Sequence, residues 1–537
     1  MRYEENIEKP QTEIANIFTL FQIARCAGAR CLNAVSGISE TSKKNTGAED
    51  NMIVKFFEKG LIKSIEILQD SIFLKQENQL ADSIYIGTAQ ALYDRGKTED
   101  IYLAPSEKES HAYVLGATGA GKSTFFEHLI RQHVLLSEGF VLFDVHGTLS
   151  EQIIKFIAYV FKDKNEREKQ IIARRLILVE PFLDKIASFN PLEIQRGESV
   201  YSTVLELVEI FRSRWADSWG PRTNELLRNV LVILAENNLT LLESPALLLN
   251  HQFRKSLAAN IQNQEARNWV YRYDMLTEPQ KTIYRDPSLN KIGEFLGDIA
   301  IRNLISQENS SFTFRDAMDK KKWVVLNLSK AKLKSNAFLI SALFLAKLQT
   351  NALTRADIPY PRRKSFYVYV DEFQNFVSEE VSDMETILSE ARKYRVFMRM
   401  AHQNLYQISR KLIEGILGNS KMMAAFRVNH SDAFILSQEL NPDAREFLTK
   451  KLTELEVGEA CFKLKGKPHR LVRLPLPEEV EVDPRTVEEL RNRSLSYYAR
   501  PVQEIEKEIL ERHKNLGLAG EESREQSGAE GGEEDEW

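Results

Sequence analysis

The stretch "AYVLGATGAGKSTFFEHLI" (112–130) places an apolar run, a glycine-rich segment and a helical pattern directly after one another. Its first residues are β-prone, its glycines permit a tight turn, and the apolar residues that follow recur at helical spacing. The central "GATGAGKS" (116–123) fits the pattern G-x-x-x-x-G-K-[ST], which requires a strand before it and a helix after it. The stretch therefore predicts a phosphate-binding loop within an α/β fold.

The residue types of this loop indicate its chemistry. Glycines let backbone N–H groups wrap the phosphates, and the N-terminus of the following helix adds positive potential. We expect Lys122 to reach the β- and γ-phosphates and Ser123 to ligate Mg²⁺, so the predicted cofactors are ATP and Mg²⁺. The predicted nucleotide-binding residues are Gly116, Ala117, Thr118, Gly119, Ala120, Gly121, Lys122, Ser123 and Thr124.

In "FYVYVDEFQNF" (366–376), five β-prone residues run directly into Asp371 and Glu372. A buried carboxylate is costly unless it faces a positive group, and beside a phosphate-binding loop that group is magnesium bound to ATP. We predict that Asp371 holds the magnesium, usually through water, and that Glu372 orients and activates the attacking water. The alternative interpretation is an exposed acidic turn after a strand.

Gln403, in "AHQN" (401–404), follows the next predicted strand. Ligands bind at the carboxyl ends of the strands in open α/β sheets, so we predict that Gln403 senses the γ-phosphate. His402, next to Gln403, is a second candidate for a role at the nucleotide. The alternative interpretation of His402 is that it only packs or hydrogen bonds locally.

Further apolar runs alternate with helical patterns, which predicts a parallel sheet with crossover helices. The runs are "GFVLFDVHG" (139–147), "RLILVEP" (175–181), "WVVLNLS" (323–329), "FYVYVDE" (366–372), "RVFMRMAH" (395–402) and "KMMAAFRV" (421–428). The long interval between the third strand and Trp323 has helical periodicity and little strand signal, as in "NELLRNVLVILAEN" (224–237). It predicts an all-helical domain inserted within the α/β domain.

Composition and charge limit the remaining possibilities. The chain has 537 residues, 43% of them apolar and 28% charged, which is typical of a globular protein of several domains. Residues 521–537 carry eight acids against Arg524, a net charge of −8 + 1 = −7, so with a total of −5 the rest of the chain is near −5 + 7 = +2 and almost neutral. Any contact with nucleic acid must therefore be local, and the acidic segment should be disordered.

Three cysteines, Cys26, Cys31 and Cys461, provide no disulfide framework and no complete metal site. No apolar run reaches the length of a membrane span, and the N-terminus lacks the pattern of a signal peptide. We therefore expect a cytoplasmic protein without an intrinsic membrane span, with recruitment to the membrane by partners as an open alternative.

Several blocks together resemble a known family. They are "HAYVLGATGAGKST" (111–124), "VLFDVHGTL" (141–149), "WGPRTNELLRNVLVIL" (219–234), "FRDAMDKKKWVVLNLSK" (314–330), "YVDEFQNF" (369–376), "ILSEARKYRVFMRMAHQNLYQIS" (387–409) and "GNSKMMAAFRVNHSDA" (418–433). Their order is similar to that of the HerA/FtsK-type hexameric DNA-pumping ATPases, and most similar to conjugative coupling ATPases of type IV secretion (the TraD/TraG type). Val145 replaces a family proline, and many coupling proteins begin with membrane helices that this sequence does not show.

The resemblance implies a RecA-like P-loop core with an inserted all-α domain, a hexameric ring and ATP sites between subunits. By motif position, Arg392 in "SEARKYR" (389–395) matches the family's arginine finger and Gln403 its glutamine motif, while Arg427 is a candidate second basic partner of the nucleotide. The alternative for Arg392 is a cationic helix C-terminus that interacts favourably with the helix dipole.

The resulting hypothesis is an ATPase that pumps single- or double-stranded DNA, with secretion-system or DNA-processing partners. The alternatives are a secretion or assembly ATPase acting on protein, a HerA-like DNA-processing motor, and a non-hydrolysing nucleotide-binding scaffold. The predicted domains are an N-terminal mixed or helical region (1–98), the RecA-like ATPase domain (99–195 and 315–480), the inserted all-α domain (196–314), C-terminal helices (481–515) and a disordered acidic tail (516–537).

Overall fold

The computed structural model describes residues 82–90, 97–376 and 388–518. The predicted N-terminal region (1–98) therefore lies mostly outside the described residues, as does the predicted disordered tail (516–537).

Seven buried apolar runs form the parallel part of a large sheet. Because both faces of this part are covered by helices, its strands are apolar on both sides rather than alternating. In chain order the thirteen described strands are β1 (Ile84–Gln90), β2 (Thr98–Leu103), β3 (His111–Leu115), β4 (Gly139–Asp144), β5 (Leu176–Val179), β6 (Lys185–Ala187), β7 (Trp323–Asn327), β8 (Phe366–Val370), β9 (Val396–His402), β10 (Ser420–Ala425), β11 (Glu459–Leu464), β12 (Arg470–Arg473) and β13 (Ala499–Pro501).

The order of the strands places β9 between the strand that precedes the glycine-rich loop and the strand that precedes the acids. The parallel segment runs β10-β3-β9-β8-β4-β7-β5. All seven of these strands were predicted from the sequence, and the RecA-like α/β core is confirmed. The sheet continues beyond β10 through the antiparallel strands β11, β12, β1 and β2, and β6 pairs separately with β13.

Helices cover both faces of the sheet and form the insertion. Those of the described residues are α1 (Pro105–Lys108), α2 (Lys122–Leu135), α3 (Thr148–Lys162), α4 (Glu166–Arg175), α5 (Val200–Arg214), α6 (Pro221–Glu236), α7 (Ser244–Leu249), α8 (His251–Ala258), α9 (Gln264–Asp274), α10 (Glu278–Leu296), α11 (Ile299–Ile305), α12 (Phe314–Asp319), α13 (Lys330–Leu333), α14 (Asn336–Thr354), α15 (Arg410–Asn419), α16 (His430–Leu440), α17 (Arg445–Glu454), α18 (Pro484–Tyr498) and α19 (Val502–Asn515).

The core has one layer on each side of the sheet. Side chains of β3 alternate between the two layers: Tyr113 belongs to the layer that contains apolar residues of α5, α6 and α14, whereas Val114 belongs to the layer that contains those of α2, α3 and α18. The eight α-helices α5–α12 lie between β6 and β7, so the chain leaves the α/β core after β6 and returns to it at β7. The insertion is therefore entirely helical.

The last helices return the chain to both parts of the fold. Arg491 of α18 donates to Glu151 of α3 over 2.7 Å and also pairs with Glu180, which follows β5. Arg512 of α19 donates to the buried carboxylate of Glu243, on the inserted helices, over 3.0 Å. The C-terminal helices therefore connect the sheet to the insertion.

One helical segment, Asn336–Asp357, has the length and apolar composition of a membrane span. Two thirds of its most apolar window, 67%, is buried inside the molecule, as in the core helix of a globular protein.

Candidate functional site

The glycine-rich loop connects β3 to α2 at the carboxyl edge of the parallel sheet. Gly121 has a φ of 116°, which favours glycine, and it directly precedes the first residue of α2. Gly116 lies so close to Phe426 that a Cβ would approach that side chain to 2.6 Å. Among the described residues, the backbone N–H groups of Gly121, Lys122 and Ser123 have no acceptor, as at the open N-terminus of a helix. They can bind an anion.

Lys122 lies within the loop rather than in solvent. Its Nζ donates to the carbonyl oxygens of Gly116 and Ala117 over 2.6 and 3.2 Å. Burial lowers the pKa of Lys122, and the nearby carboxylates of Asp371 and Glu372 oppose that shift. The ammonium group is therefore held at the position where phosphate oxygens would replace the loop carbonyls as its partners.

Asp371 and Ser123 are joined across the site. The Ser123 hydroxyl donates to Oδ2 of Asp371 over 2.8 Å. Burial raises the pKa of Asp371; the hydrogen bond from Ser123 opposes this shift, and the negative charges of Glu372 and Asp144 add to it. A cation at this point would relieve the unfavourable burial of the charge.

These residues fit Mg²⁺ bound together with phosphate. Within the described residues, no group of three or more His, Cys, Asp or Glu side chains could hold a metal ion. Magnesium is usually held by one or two carboxylates together with substrate phosphates, and the Ser123–Asp371 pair beside an anion-binding loop provides the protein's share of such a site.

The Glu372 carboxylate is held by side chains from three segments. Gln403, at the end of β9, donates to Oε1 over 2.6 Å, and Gln374 donates to Oε2. His146 Nε2 lies 3.8 Å from Oε1. The Gln403 amide oxygen accepts a hydrogen bond of 3.0 Å from Thr118 of the glycine-rich loop. A continuous path, Thr118–Gln403–Glu372, thus connects the loop to the acid.

Three further residues at this site were not predicted from the sequence: Gln374, His146 and Asp144. Asp144 ends β4 beside β8, and its carboxylate accepts backbone N–H groups of His146, Gly147 and Ser150 over 2.8 to 2.9 Å. The sequence feature that could have pointed to these residues is the run of polar residues that follows each predicted strand at its carboxyl end.

His402 lies beneath the loop and packs locally. Its ring contacts Tyr113, whose hydroxyl hydrogen bonds to Nε2. Burial lowers the pKa of His402 to about 4, so the ring is neutral at physiological pH.

Arg392 lies at the amino-terminal end of β9, whereas the glycine-rich loop lies at the carboxyl ends of the parallel strands. Arg392 precedes β9, whereas Gln403 follows β9, and the seven-residue strand alone spans roughly 23 Å. Within the described residues, its exposed guanidinium has no hydrogen bond or ion pair. The structure therefore does not bring Arg392 to the nucleotide site of its own chain. Arg427 is nearer: its side chain is exposed, and its carbonyl accepts the N–H of Ala117 over 2.8 Å.

The chain matches a model for the DNA-binding domain of type IV secretion-system coupling proteins over residues 97–428. Among solved structures, the bacterial conjugative coupling protein TrwBdeltaN70 is 13% identical, with 72% of this chain and 89% of that chain covered and a TM-score of 0.47. The plasmid coupling protein TrwB in complex with ADP and Mg²⁺ is 12% identical, with coverage of 71% and 89% and a TM-score of 0.45. VirB4 of Thermoanaerobacter pseudethanolicus is 12% identical, with coverage of 75% and 98% and a TM-score of 0.46. No curated protein sequence matches the chain.

Proposed function

Because the chain belongs to the family of type IV secretion-system coupling protein DNA-binding domains, we propose that it is an ATPase that moves DNA through a ring of six copies. The observation that carries the proposal is the arrangement of Ser123, Asp371, Glu372 and Gln403 beside an anion-binding loop. The proposed cofactors are ATP and Mg²⁺.

Each residue has a defined role in this proposal. Lys122 contacts the β- and γ-phosphates, and Ser123 and Asp371 hold the magnesium, which neutralises charge on the phosphates. Glu372 accepts a proton from the attacking water. Gln403 bonds both Thr118 and Glu372, so a change at the phosphate can change the position of the acid. Arg392 acts on the site of a neighbouring subunit.

The substrate is tested by measuring ATP hydrolysis by the full chain with single-stranded DNA, double-stranded DNA or an unfolded protein. We expect DNA to stimulate hydrolysis and the stimulation to weaken steeply with salt, because phosphate contacts release counterions. Lys122→Ala should abolish the stimulated and the basal rates together, because a phosphate contact is lost.

Lys255→Ala is the matched control, since Lys255 is an exposed lysine of α8, in the insertion. Stimulation by unfolded protein but not by DNA would instead identify a protein-secreting motor. An absence of hydrolysis under every condition would favour the remaining alternative, a scaffold that binds nucleotide without hydrolysing it.

A further inference from the structure

The residues that carry Arg392 form one tight turn before β9. Arg392–Tyr394 is a turn of 3₁₀ helix, and Arg395, which follows it, has a φ of 57°. A non-glycine residue rarely occupies this left-handed region, and it stays there only where its surroundings enforce the conformation. The Arg395 N–H donates to the carbonyl of Arg392 over 3.1 Å. We refer to residues 392–395 as the arginine turn.

Two arginines from the segment before β8 hold the backbone of the arginine turn. Arg355, directly after α14, donates through Nη1 to the carbonyl of Tyr394 over 2.7 Å. Arg363 donates through Nη1 to the carbonyl of Lys393. The carbonyls at the end of a helical turn lack partners within it, and cationic donors satisfy them well. The turn is therefore fixed through its main chain, which leaves the Arg392 side chain uninvolved.

Arg355 is itself immobilised by burial and by its other contacts. Its side chain is fully buried, its Nη2 donates to the carbonyl of Lys364 over 2.8 Å, and its Nε lies 3.1 Å from Oδ1 of Asp319. Burial lowers the pKa of Arg355 to about 10, and Asp319 opposes that shift, so the guanidinium is charged at neutral pH. Because Lys364 lies just before β8 and the arginine turn just before β9, Arg355 links the amino-terminal ends of the two strands.

Arg363 is fixed by a second set of contacts. Its Nε donates to the carbonyls of Arg355 and Ile358 over 3.0 and 2.8 Å, and its guanidinium carbon lies 5.1 Å from the centre of the Tyr394 ring. The donors of a guanidinium lie in one plane, so these contacts set the direction of the bond to the arginine turn. A lysine cannot form them together.

His111 of β3 holds the chain on the other side of Arg392. The Met398 N–H donates to Nδ1 of His111 over 2.9 Å. Since a backbone N–H can only donate, Nδ1 is the acceptor, and Nε2 carries the hydrogen that it donates to the carbonyl of Leu388 over 2.8 Å. Burial lowers the pKa of His111 to about 4, so the ring is neutral. The chain is thus held both before and after Arg392.

The Arg392 side chain contrasts with this supported main chain. It is exposed and, among the described residues, has neither a hydrogen bond nor an ion pair. A connection between a helix and a strand does not require two arginines to fix its backbone, but a cation that contacts another molecule must be held in the orientation for that contact. A displaced group stabilises a transition state less, and the rate falls.

We propose that Arg355 and Arg363 are positioning residues, which hold Arg392 in the orientation required at the nucleotide site of a neighbouring subunit. The inference rests on the proposed function of Arg392. In this role neither arginine contacts the nucleotide, and each acts through the main chain of the arginine turn.

Arg363→Ala in the full chain is the first test, because Arg363 is only half-buried and the variant should fold. We expect kcat for ATP hydrolysis to fall by about tenfold or more and KM for ATP to stay within about twofold, since the residues that bind nucleotide within the chain are unchanged. Arg363→Lys keeps the charge but not the fork of donors and should have an intermediate rate. Arg355→Ala should lower kcat in the same way as Arg363→Ala.

Arg362→Ala is the matched control. Arg362 directly precedes Arg363, is exposed, and its side chain has no hydrogen bond or ion pair within the described part of the chain. This variant should hydrolyse ATP as the unaltered chain does. Amide hydrogen exchange at residues 392–395 should accelerate in Arg363→Ala and not in Arg362→Ala, with little change in the melting temperature of either.

Two further measurements separate positioning from a general structural role. In a chain that already has Arg392→Ala, Arg363→Ala should slow hydrolysis by less than about twofold, because no guanidinium remains to be positioned. In mixed rings, Arg363→Ala with Glu372→Gln should recover activity, because some interfaces combine an intact Glu372 with an intact and positioned Arg392. Arg363→Ala with Arg392→Ala should not recover activity, since every subunit then presents a defective arginine.

Normal hydrolysis or unchanged exchange in Arg363→Ala overturns the inference. An equal loss of rate when residue 392 is already alanine also overturns it, because that result shows a structural role. Slow hydrolysis by Arg392→Ala with normal hydrolysis by Arg363→Ala rejects the positioning alone. Normal hydrolysis by Arg392→Ala rejects the shared site, and with it this inference.

Discussion

Glu372 has a backbone φ of 53°, in the left-handed region that non-glycine residues rarely occupy. Such a conformation costs on the order of 1–3 kcal/mol and persists only where the surroundings enforce it. Here the Glu372 N–H donates to Asp371 Oδ1 over 3.0 Å, while two amides hold the side chain. The strained backbone directs the carboxylate toward Gln403 and the glycine-rich loop, and this fits the proposed role of the acid.

Replacing Glu372 by Gln tests that role. The amide keeps the size of the side chain and an acceptor for Gln403, but it cannot take a proton from water. We expect nucleotide binding to remain within a few-fold of the unaltered value and the turnover rate to fall by about a hundredfold or more. Binding is measured with a fluorescent ATP analogue, and turnover by phosphate release.

Glu504→Gln is the control for this substitution. Glu504 is exposed in the first turn of α19 and has no ion pair among the described residues. Its variant should behave as the unaltered chain does. Normal turnover in Glu372→Gln would remove Glu372 from the chemistry and would favour His146 or a carboxylate from elsewhere as the base.

The residues proposed to act nearest the phosphate could be picked out from the sequence, because they stand in short local patterns. Lys122 and Ser123 follow the glycines directly, and Asp371 and Glu372 follow a strand. The contact between Thr118 and Gln403 could not be predicted in the same way, since it joins residues 285 positions apart. It depends on β9 lying beside β3, and strand order is not a property of any single segment.

At the scale of elements, the turn between β4 and α3 depends on one buried carboxylate. Asp144 accepts three backbone N–H groups, from His146, Gly147 and Ser150. The arrangement holds the start of α3 and places His146 beside Glu372. Without the carboxylate, these donors would lose their acceptor, and the buried donor of Ser150 would be the most costly to leave unpaired.

We therefore expect Asp144→Ala to destabilise the protein by about 2–4 kcal/mol, as a lost cap combined with a buried unpaired donor. Its melting temperature should fall, and amide exchange should accelerate at residues 146–150 before it does elsewhere. Asp144→Asn keeps one acceptor oxygen and should have a smaller effect. Unchanged exchange at 146–150 in Asp144→Ala would show that the turn is held by other contacts.

The parallel strands could be predicted because burial on both faces makes each of them a continuous apolar run between turns. The antiparallel extension was harder to predict. β1 pairs with β12, so Thr88 lies opposite Arg473, and no local pattern indicates a partner nearly four hundred residues away. In β2 only Leu103 is buried, and the other residues are exposed or half-buried, which weakens the hydrophobic pattern further.

At the scale of the whole molecule, the position of Arg392 separates two models of the ATP site. Within one chain, β9 separates Arg392 from Gln403, and the guanidinium is exposed to solvent. Negative charge shifts on the phosphates during transfer, and an arginine that contacts them stabilises the transition state. If Arg392 acts in this way, it must therefore act on another subunit.

Mixing two inactive variants tests this model. Arg392→Ala should bind ATP almost normally and hydrolyse it on the order of a hundredfold more slowly, while Lys393→Ala, at the adjacent exposed lysine, should remain active. In a ring assembled from equal amounts of Glu372→Gln and Arg392→Ala, about one interface in four combines an intact Glu372 with an intact Arg392. Activity should return to a comparable fraction, with co-assembly verified by differently tagged subunits. A mixture that co-assembles and stays inactive would exclude the shared site, and so would full activity in a species that sediments as a monomer, because a monomer has no neighbouring subunit to supply Arg392.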